Sequence, residues 1–178
     1  MLGIFTGKVN PKTKKLVHVS EDVLHLFLHL NNKQNLLMRY QSANGDDHVD
    51  YPFVSQAVWL APARFVEVIY AQNPAALKEP ITDGRWKLSV VGMLSERIKQ
   101  SKTANEFQES MKVLEVLLVD AKINLLEIDV YSKSLSSHFE MLWEAAKTAN
   151  HDLNLLKKTI IEKRGEEEWN KCLELLKL

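Results

Sequence analysis

Four polar residues near the start of this chain have the types and spacing of a metal site. His18, Asp22, His25 and His29 fall on one helical face if the helix near Ser20 starts early enough to take in His18. Neutral imidazoles one turn apart can share a divalent cation, and an aspartate beside them can ligate or orient. Val23, Phe27 and Leu30 take the opposite, core-facing side, so the polar four should stand in water. No second helix offers a Glu-x-x-His to complete a di-metal bundle site. A solvated helix face is expected, with no metal and no other cofactor.

Asn44-Gly45-Asp46-Asp47-His48-Val49-Asp50 also gathers oxygen ligands. A hand-type calcium loop needs a bidentate carboxylate at its twelfth position, and counting from Asn44 puts Ser55 there. A polar turn is the better reading, and the adjacent Asp46 and Asp47 are turn residues rather than an acid–base pair. The single cysteine, Cys172, lies on the apolar side of a C-terminal helix with Trp169, Leu173 and Leu176. Burial there should raise its pKa and quench it as a nucleophile. The chain has no Gly-rich phosphate loop, no Gly-x-Ser-x-Gly and no Cys-x-x-Cys. No catalytic residue is therefore assigned and the chain is not expected to be an enzyme, a metal-dependent helical enzyme built on His25 and His29 being the last of the alternatives.

Charge is the next chemical feature. The 178 residues sum to zero net charge, yet residues 1–20 hold Lys8, Lys12, Lys14 and Lys15 with no acid. Between residues 81 and 102, Arg85, Lys87, Arg97, Lys99 and Lys102 outnumber Asp83 and Glu96. If these segments converge, with Lys157, Lys158, Lys163 and Arg164 extending them, they form a patch that attracts phosphate backbones. Nucleic acid is thus a candidate partner, through Lys12, Lys14, Lys15, Arg85, Lys87, Arg97, Lys99 and Lys102. The ordinary fate of such clusters is a solvated face.

The elements that must position these residues are mainly helical. From Phe107 the apolar positions run Met111, Leu114, Leu118, Ala121, Leu125, Ile128, and from Phe139 they run Leu142, Ala146, Ala149, Leu153, Leu156, Ile160. Steps of four and three keep one apolar stripe on each helix. Thr103-Ala104-Asn105-Glu106 and Ser137-His138-Phe139-Glu140 fit the capping box, and Lys163-Arg164-Gly165 fits a helix end. The fold class expected is an all-α bundle built on a long antiparallel hairpin, about 103–132 and 138–164. Each arm would be about 40 Å long. Val116, Val119, Ile123, Leu126 and Val130 add a second stripe to the first arm, more apolar surface than one partner helix covers.

Elsewhere the pattern is less regular. Leu2–Val9 and Lys14–Val19 around Asn10-Pro11 predict a short β-hairpin with a Pro turn. Helices are expected over 20–30, 33–40, 55–72 with a break at Pro62, 85–101 and 166–177, and a loop over 42–52. Asn73–Gly84 is the best internal boundary, dividing a mixed lobe (1–80) from a helical bundle (85–178), unless the two form one continuous domain.

No apolar run reaches membrane-spanning length, no signal peptide is apparent, and one cysteine fits a reducing compartment, so a cytoplasmic protein is expected. Trp59, Trp86, Trp143 and Trp169 stand on separate elements. Trp143, beside the hairpin seam, and Trp169, with Leu173 and Leu176 on the last helix, are candidate interface anchors. These features together point to a non-enzymatic helical protein that forms a homo-oligomer and acts by binding another macromolecule. An oligomeric, sequence-independent RNA- or DNA-binding protein is the alternative.

Overall fold

A computed structural model describes residues 8–9, 16–17, 37–41, 48–52, 57–59, 61–72, 74, 80–83 and 86–176. The possible metal face on 18–29, the expected helix over 20–30, and Asn44–Asp47 lie outside these residues, as do Lys12, Lys14, Lys15 and Arg85. The described molecule is a mainly α-helical bundle, with two small antiparallel sheets formed by residues of its N-terminal half.

Lys8–Val9 (β1) pairs antiparallel with Leu16–Val17 (β2), which is the expected short hairpin. Leu37–Gln41 (β3) and His48–Pro52 (β4) pair along their full length, Leu37 opposite Pro52 and Gln41 opposite His48. Ile81–Asp83 (β5) and Trp86–Leu88 (β6) complete a sheet in the order β3-β4-β5-β6. Three expectations fall here. Residues 37–40 are strand rather than helix, 48–52 are strand rather than loop, and the helix placed at 85–101 starts only at Val90. Short apolar runs satisfy helix and strand templates equally, and partners distant in sequence decided these.

Among the described residues, six helices of ten residues or more follow the strands or interleave with them. Ala63–Gln72 (α1) begins after Pro62, as the break in the pattern predicts. Its first free amide, Ala63 N–H, donates to Glu109 Oε1 at 2.8 Å. Val90–Gln100 (α2) is capped by Ser89, whose Oγ accepts from Gly92 N–H. Ala104–Val119 (α3) and His138–Thr148 (α4) both start in complete capping boxes, Thr103 with Glu106 and Ser137 with Glu140. Leu153–Arg164 (α5) and Glu166–Leu175 (α6) close the chain.

The long hairpin is not formed. Its first arm stops at Val119, and residues 120–137 are irregular. Lys122 adopts a left-handed backbone (φ 51°), and the amide of Ile123 reaches back to Leu117 O. Beyond it, Asn124 Oδ1 accepts from Leu126 N–H, and Asp129 Oδ1 accepts from Tyr131 N–H. Short polar side chains that capture an amide two residues on compete directly with the helical ladder. The second arm breaks at Asn150 (φ 56°), where Asn150 N–H bonds Lys147 O and His151 N–H bonds Ala146 O. Those two bonds make a closed helix end with asparagine in the left-handed position. Asp152 then caps α5 through Asn154 N–H.

Contacts fix the directions of the helices. Ala63 meets Glu109 and Tyr70 meets Asp120, so α1 and α3 run the same way. Phe107 stacks on His151 and Glu115 pairs with Lys163, so α3 and α5 also run the same way. α2 and α4 return in the opposite sense, and α2 packs most extensively on α4 and α3 on α5. The second arm expected beside α3 is therefore split in two, and its C-terminal half, α5, packs on α3 in the parallel rather than the antiparallel sense.

One core, drawn from residues 57 to 172, holds these helices together, and Phe107, Leu114, Leu118, Leu125, Phe139, Leu142, Leu156 and Ile160 of the two predicted stripes lie in it. Each large apolar side chain removed from water contributes about 1.5–3 kcal/mol.

Candidate functional site

The turn that ends α3 and the segment after it sit at one end of the bundle, here called the apex. At the apex the last turn of α1, the start of α2 and residues 120–131 surround an open cleft of about 960 Å³. The segment is well bonded. Asp129 N–H donates to Ser136 O, His138 N–H to Glu127 O and Phe139 N–H to Leu125 O, so 125–129 and 136–139 run back along each other. Leu125 is fully buried beneath this ladder.

Asp129 is a buried carboxylate at the cleft wall. Its Oδ2 accepts a hydrogen bond from Ser89 Oγ, and its Oδ1 accepts from Tyr131 N–H. The carboxylate thus ties the segment to the first turn of α2, where negative charge suits the positive end of the helix dipole.

Serine, aspartate and histidine all line the cleft, since His138 is there too. They are not assembled as a nucleophilic relay. Such a relay needs the imidazole between hydroxyl and carboxylate. Here the aspartate holds the hydroxyl itself, and His138 Nδ1 donates to Asn124 O at 2.8 Å. Ser89 Oγ is occupied as a helix cap as well.

What the apex does offer is apolar surface. The large hydrophobic side chains left exposed among the described residues are Val119 (50% exposed), Ile128 (56%), Val130 (71%), Tyr131 (36%) and Leu135 (64%), and all fall within 119–135. Val119 and Val130 belong to the second stripe of the sequence pattern. Its other members, Val116, Ile123 and Leu126, are half-buried.

No protein-family model, curated protein or solved structure matches this chain.

The other residues singled out from sequence are dispersed. Trp169 is buried on its own chain, edge-on to Phe139 at 5.5 Å and 6.0 Å from Trp143. Trp143, Leu173 and Leu176 are half-buried beside it. Cys172 is buried as expected, and burial pushes its thiol up to about 12, helped by Glu168.

Arg97 serves the fold. One guanidinium nitrogen donates to Val58 O at 2.8 Å and Ala61 O at 2.7 Å, holding the chain before α1 against α2. Burial lowers its pKa and Glu109 opposes that shift. For Glu109, burial works upward, but the Ala63 amide, Lys112 and Arg97 outweigh it and hold the carboxyl below its usual range. Lys99 pairs with Glu96, Lys158 with Glu162 and Lys163 with Glu115, while Arg164 donates to Ile123 O. Lys87 lies before the start of α2, and Lys99 and Lys102 at its end, about 18 Å away along a helix axis.

The sequence pattern did not single out Ser89 and Asp129. Asn124 and Asp129 in the middle of a supposed helix were the signal available, because such residues favour turns and caps over helix interiors.

Proposed function

We propose that this chain is a non-enzymatic helical binding protein that self-associates through its apex, and that the same surface engages its macromolecular partner. The observation that carries this reading is the confinement of exposed large apolar side chains, among the described residues, to 119–135. Isolated exposed hydrophobics are ordinary, whereas a group of them beside a cleft marks an interaction surface. The hydrogen bonds that occupy Ser89, Asp129 and His138 favour binding over catalysis there. No helix among the described residues is long and apolar enough to cross a membrane, and a single buried thiol suits a reducing, cytoplasmic setting.

Replacing Val130 or Ile128 by Glu tests the proposal, because both side chains are exposed and neither substitution opens the core. The wild type should sediment or scatter as a multiple of 20.4 kDa, and either variant should shift toward the monomer with unchanged helical circular dichroism. A wild type that is monomeric at every concentration, or variants with unaltered mass, would count against it.

A further inference from the structure

Five of the six helices are tied to another part of the chain by polar bonds. α1 is held by the Glu109 carboxylate and the Asp120 carbonyl, α2 by the Val58 and Ala61 carbonyls, and α4 by the Asn124 carbonyl. The Glu115–Lys163 pair joins α3 to α5. α6 is the exception. Its ion pair, Lys171 with Glu167 at 2.7 Å, lies within the helix. Among the described residues, no hydrogen bond or ion pair joins α6 to another helix. Apolar contact alone docks it. Trp169 meets Phe139 and Trp143, Cys172 is fully buried, and Leu173 and Leu176 are half-buried, on a seat formed with α5. Such a seat recognises an apolar helix face and not the chain that supplies it.

The joint is a single residue. Gly165 at φ 90° breaks the helix between α5 and α6, and α6 starts without a side-chain cap. Glycine is equally at home at helical φ, so the same joint can straighten and fuse α5 and α6 into one helix about 35 Å long. In that helix Glu167 and Glu168 fall four residues after Lys163 and Arg164, a spacing at which opposite charges attract. Trp169 follows Ile160 by nine residues, about two and a half turns. The apolar side of α6 would then point away from the body on which α5 packs, leaving both that side and its former seat uncovered.

We infer that α6 is an exchangeable helix: Gly165 straightens, and the α6 of each of two copies docks on the Phe139–Trp143 seat of the other. Reciprocal exchange fills both seats with the contacts already made inside one chain, so a two-fold dimer costs little beyond the hinge. The seat is distinct from the apex, and the exchange does not depend on association there.

The experiment works in the V130E background, which keeps apex contacts out of the measured mass. Alanine disfavours φ 90° and favours helix, so V130E/G165A should dimerise at least tenfold more tightly than V130E, roughly, by light scattering. Inserting about five Gly and Ser residues after Gly165 lets α6 dock on its own chain without a fused helix, and should keep the protein monomeric. V130E refolded from urea at high concentration should yield the same dimer as the alanine variant, and the insertion variant should not. Amide exchange identifies the arrangement. The first amides of a helix lack intrahelical acceptors, so those of Glu166, Glu167 and Glu168 should exchange fast in the monomer. In the dimer the carbonyls of residues 162–164 reach them, and they should become protected. Dimers without that protection, or equal dimer from the insertion variant, would overturn the inference. So would a monomeric V130E/G165A, whether α6 stays docked or swings free and opens Cys172 to a thiol reagent.

Discussion

Residues 104–119 and 120–132 carry the same apolar rhythm and fold differently. In the first stretch, Phe107, Met111, Leu114 and Leu118 meet the core along α3, and the polar residues between them face water or pair with neighbours. In the second, Leu125 reaches the core while Ile128 is left outside and Asp129 inside. The difference lies in the polar positions. Asn124 and Asp129 each take a backbone amide two residues on, and Asp129 gains Ser89. Periodicity fixes which side chains can share a face. Hydrogen bonds from short side chains decide whether the backbone stays helical long enough to use it. The outcome is a body with its apolar stripes satisfied and an apex with part of one stripe left over.

Substitutions in the two regions should separate stability from assembly. The largest effect is expected in the body, where Phe139 is fully buried and joins α4 to Trp169. Phe139→Ala should lower unfolding free energy by about 3–5 kcal/mol in urea titration. A loss below about 1 kcal/mol would mean that the aromatic cluster is not the packed centre described. At the hinge between the regions, Ser89→Ala removes a helix cap and strands the Asp129 carboxylate. The expected loss is about 1–3 kcal/mol, with faster amide exchange at Tyr131. Exchange that quickens equally throughout the molecule would place Asp129 in the body rather than at the boundary.

Gly165 joins α5 to α6 at φ 90° and ψ 166°, a region open essentially to glycine alone. A Cβ there meets nothing within 4 Å, so Gly165→Ala should cost about 1–3 kcal/mol through backbone strain only. The smallest effect on stability belongs to the apex. Val130→Ser should change unfolding free energy by less than about 0.5 kcal/mol while weakening association.

Titration sharpens the contrast further. The Cys172 thiol is held protonated in the folded chain, its pKa raised from 9.0 to about 12. A raised folded pKa means that its contribution is complete below pH 9 and fades as pH climbs toward 12. Native protein should accordingly react with a thiol reagent at pH 8 only as fast as the C-terminal helix opens. Glu109 works in the other direction, because its depressed pKa is a contribution lost as pH falls through the carboxylate range.

Much of the body was legible in the sequence because its signals are local. The capping boxes at Thr103 and Ser137, the break at Pro62, the glycine at 165 and the buried faces of α3, α4 and α5 follow from residues within a turn of one another. What distant partners decide was not legible. Leu37–Gln41 became a strand through pairing with His48–Pro52, and Trp86–Leu88 through pairing with Ile81–Asp83. The apex depended on Ser89 meeting Asp129, forty residues on in sequence. Arg97 looked like part of a basic patch, and only the Val58 and Ala61 carbonyls reveal it as a brace. Trp169 looked like an anchor for another subunit, and its own chain supplies Phe139 and Trp143.

Amide hydrogen exchange on dilute and concentrated protein tests the central claim most directly, because it locates the surface that association covers. Amides between Leu126 and Ser136 should gain protection as concentration rises, while those in the middle of α2, α4 and α5 stay unchanged. Protection gained instead on Leu173 and Leu176, or nowhere across the concentration series, would contradict the apex as the docking surface.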